Sequence, residues 1–245
     1  MRPSRRTLLG RFAGVALACL AAASPARAQS LAHSYETWLA LFAHGPLAGD
    51  LWLWVDVQPR LYERLEPQAV LVRPGLSWRV TPELFLTAGY AWTPSWSRGS
   101  DEERGWGELD FVDEHRSWQQ GLYAVTDPAS GLAGQVRVRL EQRARTTGEP
   151  DVGVRLRVFA RGQVPMTHAR DVLVVLWNES FVALNDTSWG QRGGFDQNRL
   201  FAGLGWQVIA GQLRLELGYL NRWSVRPGVD PVVHAAALNA FVAWR

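Results

Sequence analysis

Gln135-Val136-Arg137-Val138-Arg139-Leu140-Glu141-Gln142-Arg143-Ala144-Arg145 decides how the rest of the chain reads. Val136, Val138 and Leu140 fall on one face of an extended strand. Arg137, Arg139, Glu141, Arg143 and Arg145 fall on the other. A helical period of 3.6 would scatter those arginines around the whole cylinder, so the segment is a strand with one apolar and one charged face. The following run repeats the pattern, with Val152, Val154, Leu156 and Val158 opposing Arg155, Arg157 and Arg161. In the same way Leu213, Leu215, Leu217 and Tyr219 oppose Arg214 and Glu216, while Leu200, Leu204, Trp206 and Val208 oppose Arg199 and Gln207. Toward the N-terminal side, Leu51, Leu53, Val55 and Val57 oppose Asp56, Gln58 and Arg60, and Val70, Val72, Leu76, Trp78 and Val80 oppose Arg73, Ser77 and Arg79.

Strands are expected near 51–62, 68–80, 84–94, 116–125, 134–146, 152–163, 170–184, 199–210, 212–223 and 232–244, with a shorter run at 37–44. Gly and Pro punctuate the intervals (Pro46, Pro82, Pro128, Pro150, Pro165, Gly211, Pro227, Pro231), where turns belong. Pro59 and Pro74 lie inside runs and predict bulges or missing ladder bonds. A soluble, exported ligand-binding barrel would share the alternation. The Arg-rich face, strands of membrane-crossing length, and Trp and Tyr gathered toward strand ends (Trp38, Trp52, Trp54, Tyr90, Trp92, Trp96, Trp118, Tyr123, Tyr219, Trp223, Trp244) favour a transmembrane barrel instead. In a membrane the apolar stripe must meet lipid. The reverse would expose several arginines at roughly 2–4 kcal/mol each near the midplane.

The expectation is therefore an all-β fold, an antiparallel transmembrane β-barrel of about ten strands (twelve possible), placed in the outer membrane. Ten strands put both termini on the periplasmic side, with short turns at Thr81-Pro82 and Ala210-Gly211 and long outer loops at 95–115 and 185–198.

The charge fits this picture once its placement is seen. The 26 basic residues are all Arg, against 23 acids, and five of them (Arg2, Arg5, Arg6, Arg11, Arg27) precede residue 29. A basic start, an apolar run from Phe12 to Ala23 and the small-x-small site Ala26-Arg27-Ala28 mark residues 1–28 as a cleaved signal peptide, leaving 29–245 as a single barrel domain. Ser4-Arg5-Arg6-Thr7-Leu8-Leu9 also resembles a twin-arginine export motif. Without the leader the chain is mildly acidic, so nucleic acid is not an expected partner. Cys19, the one cysteine, sits in the leader, which removes disulfide, thiolate and thiolate-metal chemistry from the remainder.

A family resemblance rests on an ordered set of motifs. These are Trp52-Leu53-Trp54-Val55-Asp56-Val57-Gln58-Pro59-Arg60, Val72-Arg73-Pro74-Gly75-Leu76, Ala88-Gly89-Tyr90-Ala91-Trp92, Arg139-Leu140-Glu141-Gln142-Arg143, Asn178-Glu179, Gly194-Phe195-Asp196-Gln197-Asn198-Arg199 and Glu216-Leu217-Gly218-Tyr219-Leu220-Asn221. Together they resemble the domain of unknown function 2490 family, grouped with outer-membrane β-barrels. The resemblance implies fold and location and brings no catalytic residues. One departure is the C-terminus: the aromatic residue that outer-membrane barrels usually carry last is here the penultimate Trp244, on the alternating run Leu238, Ala240, Val242.

For chemistry, the inward face offers a lumenal polar network of Arg137, Arg139, Glu141, Arg143, Arg155, Arg157, Arg161, Glu179, Arg199, Arg214 and Glu216, with Asp56 beside it. It either fills the barrel with ion pairs or forms an anion-selective constriction. The seven acids within 101–114 (Asp101, Glu102, Glu103, Glu108, Asp110, Asp113, Glu114) read as a solvated outer loop. Histidines 33, 44, 115, 168 and 234 lack metal-ligand spacing. A lipid-modifying barrel enzyme would need a Ser and a His on the lipid-facing rim, and no such pair is legible. The expected role is a narrow channel or structural envelope protein without enzymatic activity or cofactor. Expected partners are outer-membrane lipids, lipopolysaccharide and the barrel insertion machinery, with the barrel itself monomeric.

Overall fold

A computed structural model describes residues 30–98, 109–146 and 150–244. The expected leader, with Cys19 and the expected cleavage residues Ala26 and Ala28, lies outside the described residues. The described chain forms β1 (Ser30–Ala48), β2 (Leu51–Tyr62), β3 (Pro67–Arg79), β4 (Leu84–Arg98), β5 (Leu109–Thr126), β6 (Ala133–Arg145), β7 (Val152–Pro165), β8 (Val172–Ala183), β9 (Gly194–Ile209), β10 (Leu213–Ser224) and β11 (Val229–Ala243). Each strand pairs antiparallel with its sequence neighbours, and β1 closes onto β11 in parallel, giving a closed barrel of eleven strands.

Eleven lies between the ten and twelve that alternation allows, and the reason is β1. Its run begins well before residue 37: Tyr35, Thr37, Leu39 and Leu41 point outward while Glu36 and Trp38 are buried inside. A two-residue turn with Gly49 at φ 56° joins it to β2. A parallel strand pair needs a long connection between its members, and here that connection is the rest of the barrel. An odd count also corrects the expectation that both termini share a rim. Ser30 is paired with Val229 at one rim, and the C-terminal end of β11 reaches the other.

The connections sort by length. The rim at the end of β11 carries short turns, among them 49–50, 80–83 and 210–212, as expected for the periplasmic side. The opposite rim carries the long 99–108 and 184–193 connections. Both strand prolines disturb pairing as predicted. The β2–β3 register shifts at Arg60/Leu61 beside Pro59, and the β3–β4 ladder passes from Val72–Trp92 to Gly75–Gly89 around Pro74.

Outside, apolar residues form continuous rows. Leu39, Leu238, Leu217, Leu204, Val174 and Val164 are successive cross-strand partners from β1 round to β7, and Leu217 is 52% exposed. Such a surface is stable only against lipid. Tyr35, Tyr90, Trp92, Phe111 and Tyr219 are exposed toward the long-loop rim, and Trp78, Tyr123 and Trp206 toward the short-turn rim. The aromatic girdle is thinner than strand-end positions suggest. Trp38 and Trp118 are buried in the lumen, and Trp54 packs against the inner cluster of Leu71, Ala91 and Trp118. Alternation accounts for the difference, since Trp52 and Trp54 share the parity of Asp56 and Trp118 that of Gln120.

Candidate functional site: an arginine-filled lumen

Register assembles the lumen. Gly75, Gly89, Trp118, Glu141 and Arg155 are successive partners across β3 to β7, forming one inner row. A Cβ on Gly89 would sit 2.3 Å from the Pro74 carbonyl oxygen and 2.5 Å from the Trp118 ring, so only glycine fits beneath that indole. The bulky ring occupies the space the glycines leave, and Glu141 is held beside Arg155 at the row's end.

Glu141 is a hub. Its oxygens accept from Arg155 Nη2 at 2.7 Å and Arg157 Nη1 at 2.5 Å, with Arg73 and Arg139 Nη1 at 3.7 and 3.8 Å. Arg157 also donates to Glu179 at 2.8 Å, where Arg137 Nη2 binds at 2.6 Å, so one guanidinium bridges two carboxylates. Glu114 takes Arg116 at 2.6 Å and Arg143 at 2.7 Å through both carboxylate oxygens. Glu216 takes Arg161 and, at 2.8 Å, Arg214. Asp56 accepts from Arg73 Nε at 2.7 Å and Trp54 Nε1 at 3.1 Å. Glu36 accepts from Arg222 at 3.2 Å and Trp38 Nε1 at 2.5 Å. Buried charge is tolerable only when paired and hydrogen-bonded, and these contacts supply both.

Several arginines also lie over aromatic rings, including Arg139 over Trp118 at 4.5 Å, Arg199 over Phe181 at 4.5 Å and Arg60 over Trp38 at 4.1 Å. A ring face offers a guanidinium partial compensation where no carboxylate reaches it.

The residues expected in the lumen are placed there. Arg137, Arg139, Glu141, Arg143, Arg155, Arg157, Arg161, Glu179, Arg199 and Glu216 are buried, and Arg214 is half-buried near the short-turn rim. Reading β5 from residue 116 missed Glu114, which is buried and lumenal rather than part of a solvated loop. Carrying the parity of Arg116 and Trp118 back by two residues would have found it. Asp113, one residue earlier, faces outward and accepts from Trp92 Nε1 at 2.6 Å. Asp101, Glu102, Glu103 and Glu108 lie outside the described residues, as does the side chain of Asp110. Glu36 precedes the expected 37–44 run and belongs to the lumen because β1 begins at Ser30.

Among the described residues, the lumen holds a lower and an upper cavity. The lower, about 100 Å³, is lined by Trp38, Phe42, Trp54, Arg137, Phe159 and Phe241, among others. The upper, about 160 Å³, is lined by Gln58, Leu71, Thr93, Gln197 and eight arginines, Arg60, Arg116, Arg143, Arg155, Arg157, Arg199, Arg222 and Arg226. Gln58, Arg60, Arg157 and Arg199 line both and stand between them. Above, the 184–193 connection folds inward: Thr187 and Gln191 are buried, Gln191 Oε1 accepts from Arg143 at 3.0 Å, and Trp189 covers Arg145 at 4.4 Å.

On the outer face, His234 bonds Tyr219 at 2.6 Å and His33 at 2.9 Å, and His115 bonds Tyr90 and, at 3.2 Å, Asp113. Among the described residues no serine bonds a histidine, and no cluster of three metal-ligating His, Cys, Asp or Glu forms. Asn178 and Glu179, adjacent on β8, face opposite sides of the wall. Asn178 pairs outward with Asn198 at 3.0 Å, Glu179 points inward, and Asn185 accepts from the Val154 amide at 2.7 Å.

Comparison with known proteins agrees with the architecture. A family model described as a protein of unknown function (DUF2490) matches residues 35–232. An uncharacterized protein of Methylorubrum extorquens is 33% identical over 243 residues, covering 98% of both chains. No solved structure matches. With a closed barrel, a lipid-facing apolar belt and a lumen of buried Arg–Glu pairs, the chain belongs to the DUF2490 family of outer-membrane β-barrels.

Proposed function

We propose that this barrel serves the envelope as a structural component whose lumen is at most a narrow channel for small anions. The observation that carries this reading is that Arg60, Arg157 and Arg199 stand in the lumen between cavities of only about 100 and 160 Å³ and line both. Arg157 is anchored there to Glu141 and Glu179, and a diffusion pore needs a continuous aqueous path. Arginine outnumbers carboxylate in the lumen, so whatever passes should be anionic. The reading is of a monomeric, non-enzymatic barrel surrounded by outer-membrane lipid and lipopolysaccharide and placed there by the barrel insertion machinery.

Planar-bilayer recording of the purified barrel tests it. The expected result is no conductance, or small steps whose reversal potential in a salt gradient shows anion preference. Large porin-like steps, or cation preference, would overturn the proposal.

A further inference from the structure

Three cross-strand pairs place arginine directly opposite arginine: Arg116–Arg143, Arg139–Arg157 and Arg199–Arg222. Like charges in that position repel, and each pair needs a counter-charge. Glu114 serves the first pair, 2.6 Å from Arg116 and 2.7 Å from Arg143. Glu141 serves the second, 2.5 Å from Arg157 and 3.8 Å from Arg139. The third has no shared carboxylate. Arg222 reaches Glu36 at 3.2 Å, whereas Arg199, 9% exposed, forms no ion pair among the described residues. Glu179 stands opposite it on the β8–β9 ladder but is taken by Arg137 and Arg157, and Arg199 meets the neutral Gln197 carboxamide oxygen, 2.6 Å from its Nε, and two aromatic faces. Arg60 lines the same space. Among the described residues it forms no ion pair, and its buried Nε, like that of Arg222, has no hydrogen-bond acceptor.

We infer that the upper chamber is a binding site for a small, multiply charged oxyanion of the phosphate class. The wall presents guanidinium groups and the neutral donors of Gln58, Thr93 and Gln197, with no carboxylate among its lining residues. Guanidinium forks match the paired oxygens of phosphate, and a multiply charged anion compensates Arg60, Arg199 and Arg222 better than chloride. A space of about 160 Å³ takes inorganic phosphate or pyrophosphate whole, or the phosphoryl end of something larger. Entry is from the long-loop rim, where Arg226 lines the chamber and its side chain is 46% exposed. This inference rests on the positive lumen of the proposed function but not on conduction.

The test is calorimetric titration of the full mature barrel in detergent at constant ionic strength, with inorganic phosphate or pyrophosphate replacing chloride. A second arm uses micelles carrying a monophosphoryl lipid, against the dephosphorylated lipid. Saturable binding at one site per barrel is expected, weakened at least tenfold by Arg199→Gln or Arg60→Gln and unchanged by Arg170→Gln at the opposite rim. Unliganded Arg199→Gln should melt at or above the parent temperature, because a buried charge without an ion pair has been removed. Saturation by the soluble anions identifies a free solute, and a response confined to phosphorylated micelles identifies a headgroup. A phosphate response no greater than chloride's in both arms, or one that persists in both variants, overturns the site. Cation-selective conductance in a barrel that still binds phosphate would sink the channel reading alone.

Discussion

Glu141 shows what a single lumenal residue holds together. It is 1% exposed, and four arginines from β3, β6 and β7 converge on it within 3.8 Å. Removing its charge while keeping its shape leaves Arg155 and Arg157 short of a partner in a low-dielectric interior. Breaking a buried pair in this way typically costs about 3–5 kcal/mol. Glu141→Gln should therefore lower unfolding stability by about that amount, read from tryptophan fluorescence in a urea titration of the detergent-folded barrel. The comparison is Asp50→Asn, which breaks an Arg79–Asp50 pair whose side chains are 41% and 50% exposed. That change should cost under about 1 kcal/mol, because water already screens the pair. Equal losses in the two variants would contradict the burial argument. That Glu141 points inward was legible from the alternation of 135–145. That it is a hub was not, because Arg73 reaches it from β3, a strand 68 positions away in sequence.

Strands are the scale at which the membrane acts. Leu204 on β9 lies between Leu217 and Val174 in the outer row, and its neighbours in sequence parity are also apolar. Leu204→Arg puts a guanidinium against lipid and should cost roughly 2–4 kcal/mol, the range for a basic residue near the midplane. The drop should appear as a lower melting temperature of the unboiled gel band. A variant as stable as the parent would mean that this face meets water or protein instead of lipid. Strand positions and face assignments came through from sequence almost intact, because a two-residue period is a property of consecutive residues. Strand ends came through less well. The polar N-terminal part of β9, Gly194-Phe195-Asp196-Gln197-Asn198, continues the ladder to Gly194, and β5 starts at Leu109, within a stretch whose acids imitate a loop. At those ends, pairing with the neighbouring strand outweighs local composition.

For the whole molecule, the parallel β1–β11 seam makes a claim about sidedness. Ser30 stands at the same rim as the 225–228 connection, while the 127–132 turn is at the other. Cys19, the one cysteine in the sequence, falls in the expected leader, and a cysteine-free Cys19→Ala background lets each introduced thiol be read individually. Ser30→Cys and Pro227→Cys should both react with a membrane-impermeant maleimide on intact cells, and Ala129→Cys only after lysis. Labelling of Ser30→Cys that follows Ala129→Cys would exclude the seam and restore an even-stranded barrel with β1 tucked below.

Sequence by itself determined which side chains share a face, and hence that the apolar stripe meets lipid and the arginines fill the interior. Those properties follow from the pleat of one strand and the cost of charge in hydrocarbon, and neither needs a partner strand. Only the tertiary structure decided that eleven strands close the barrel and which carboxylate each arginine meets. Arg222 finds Glu36 across 186 positions of chain. Closure also set Arg199 opposite Arg222 without a shared carboxylate, because register belongs to pairs of strands and is written in neither strand alone.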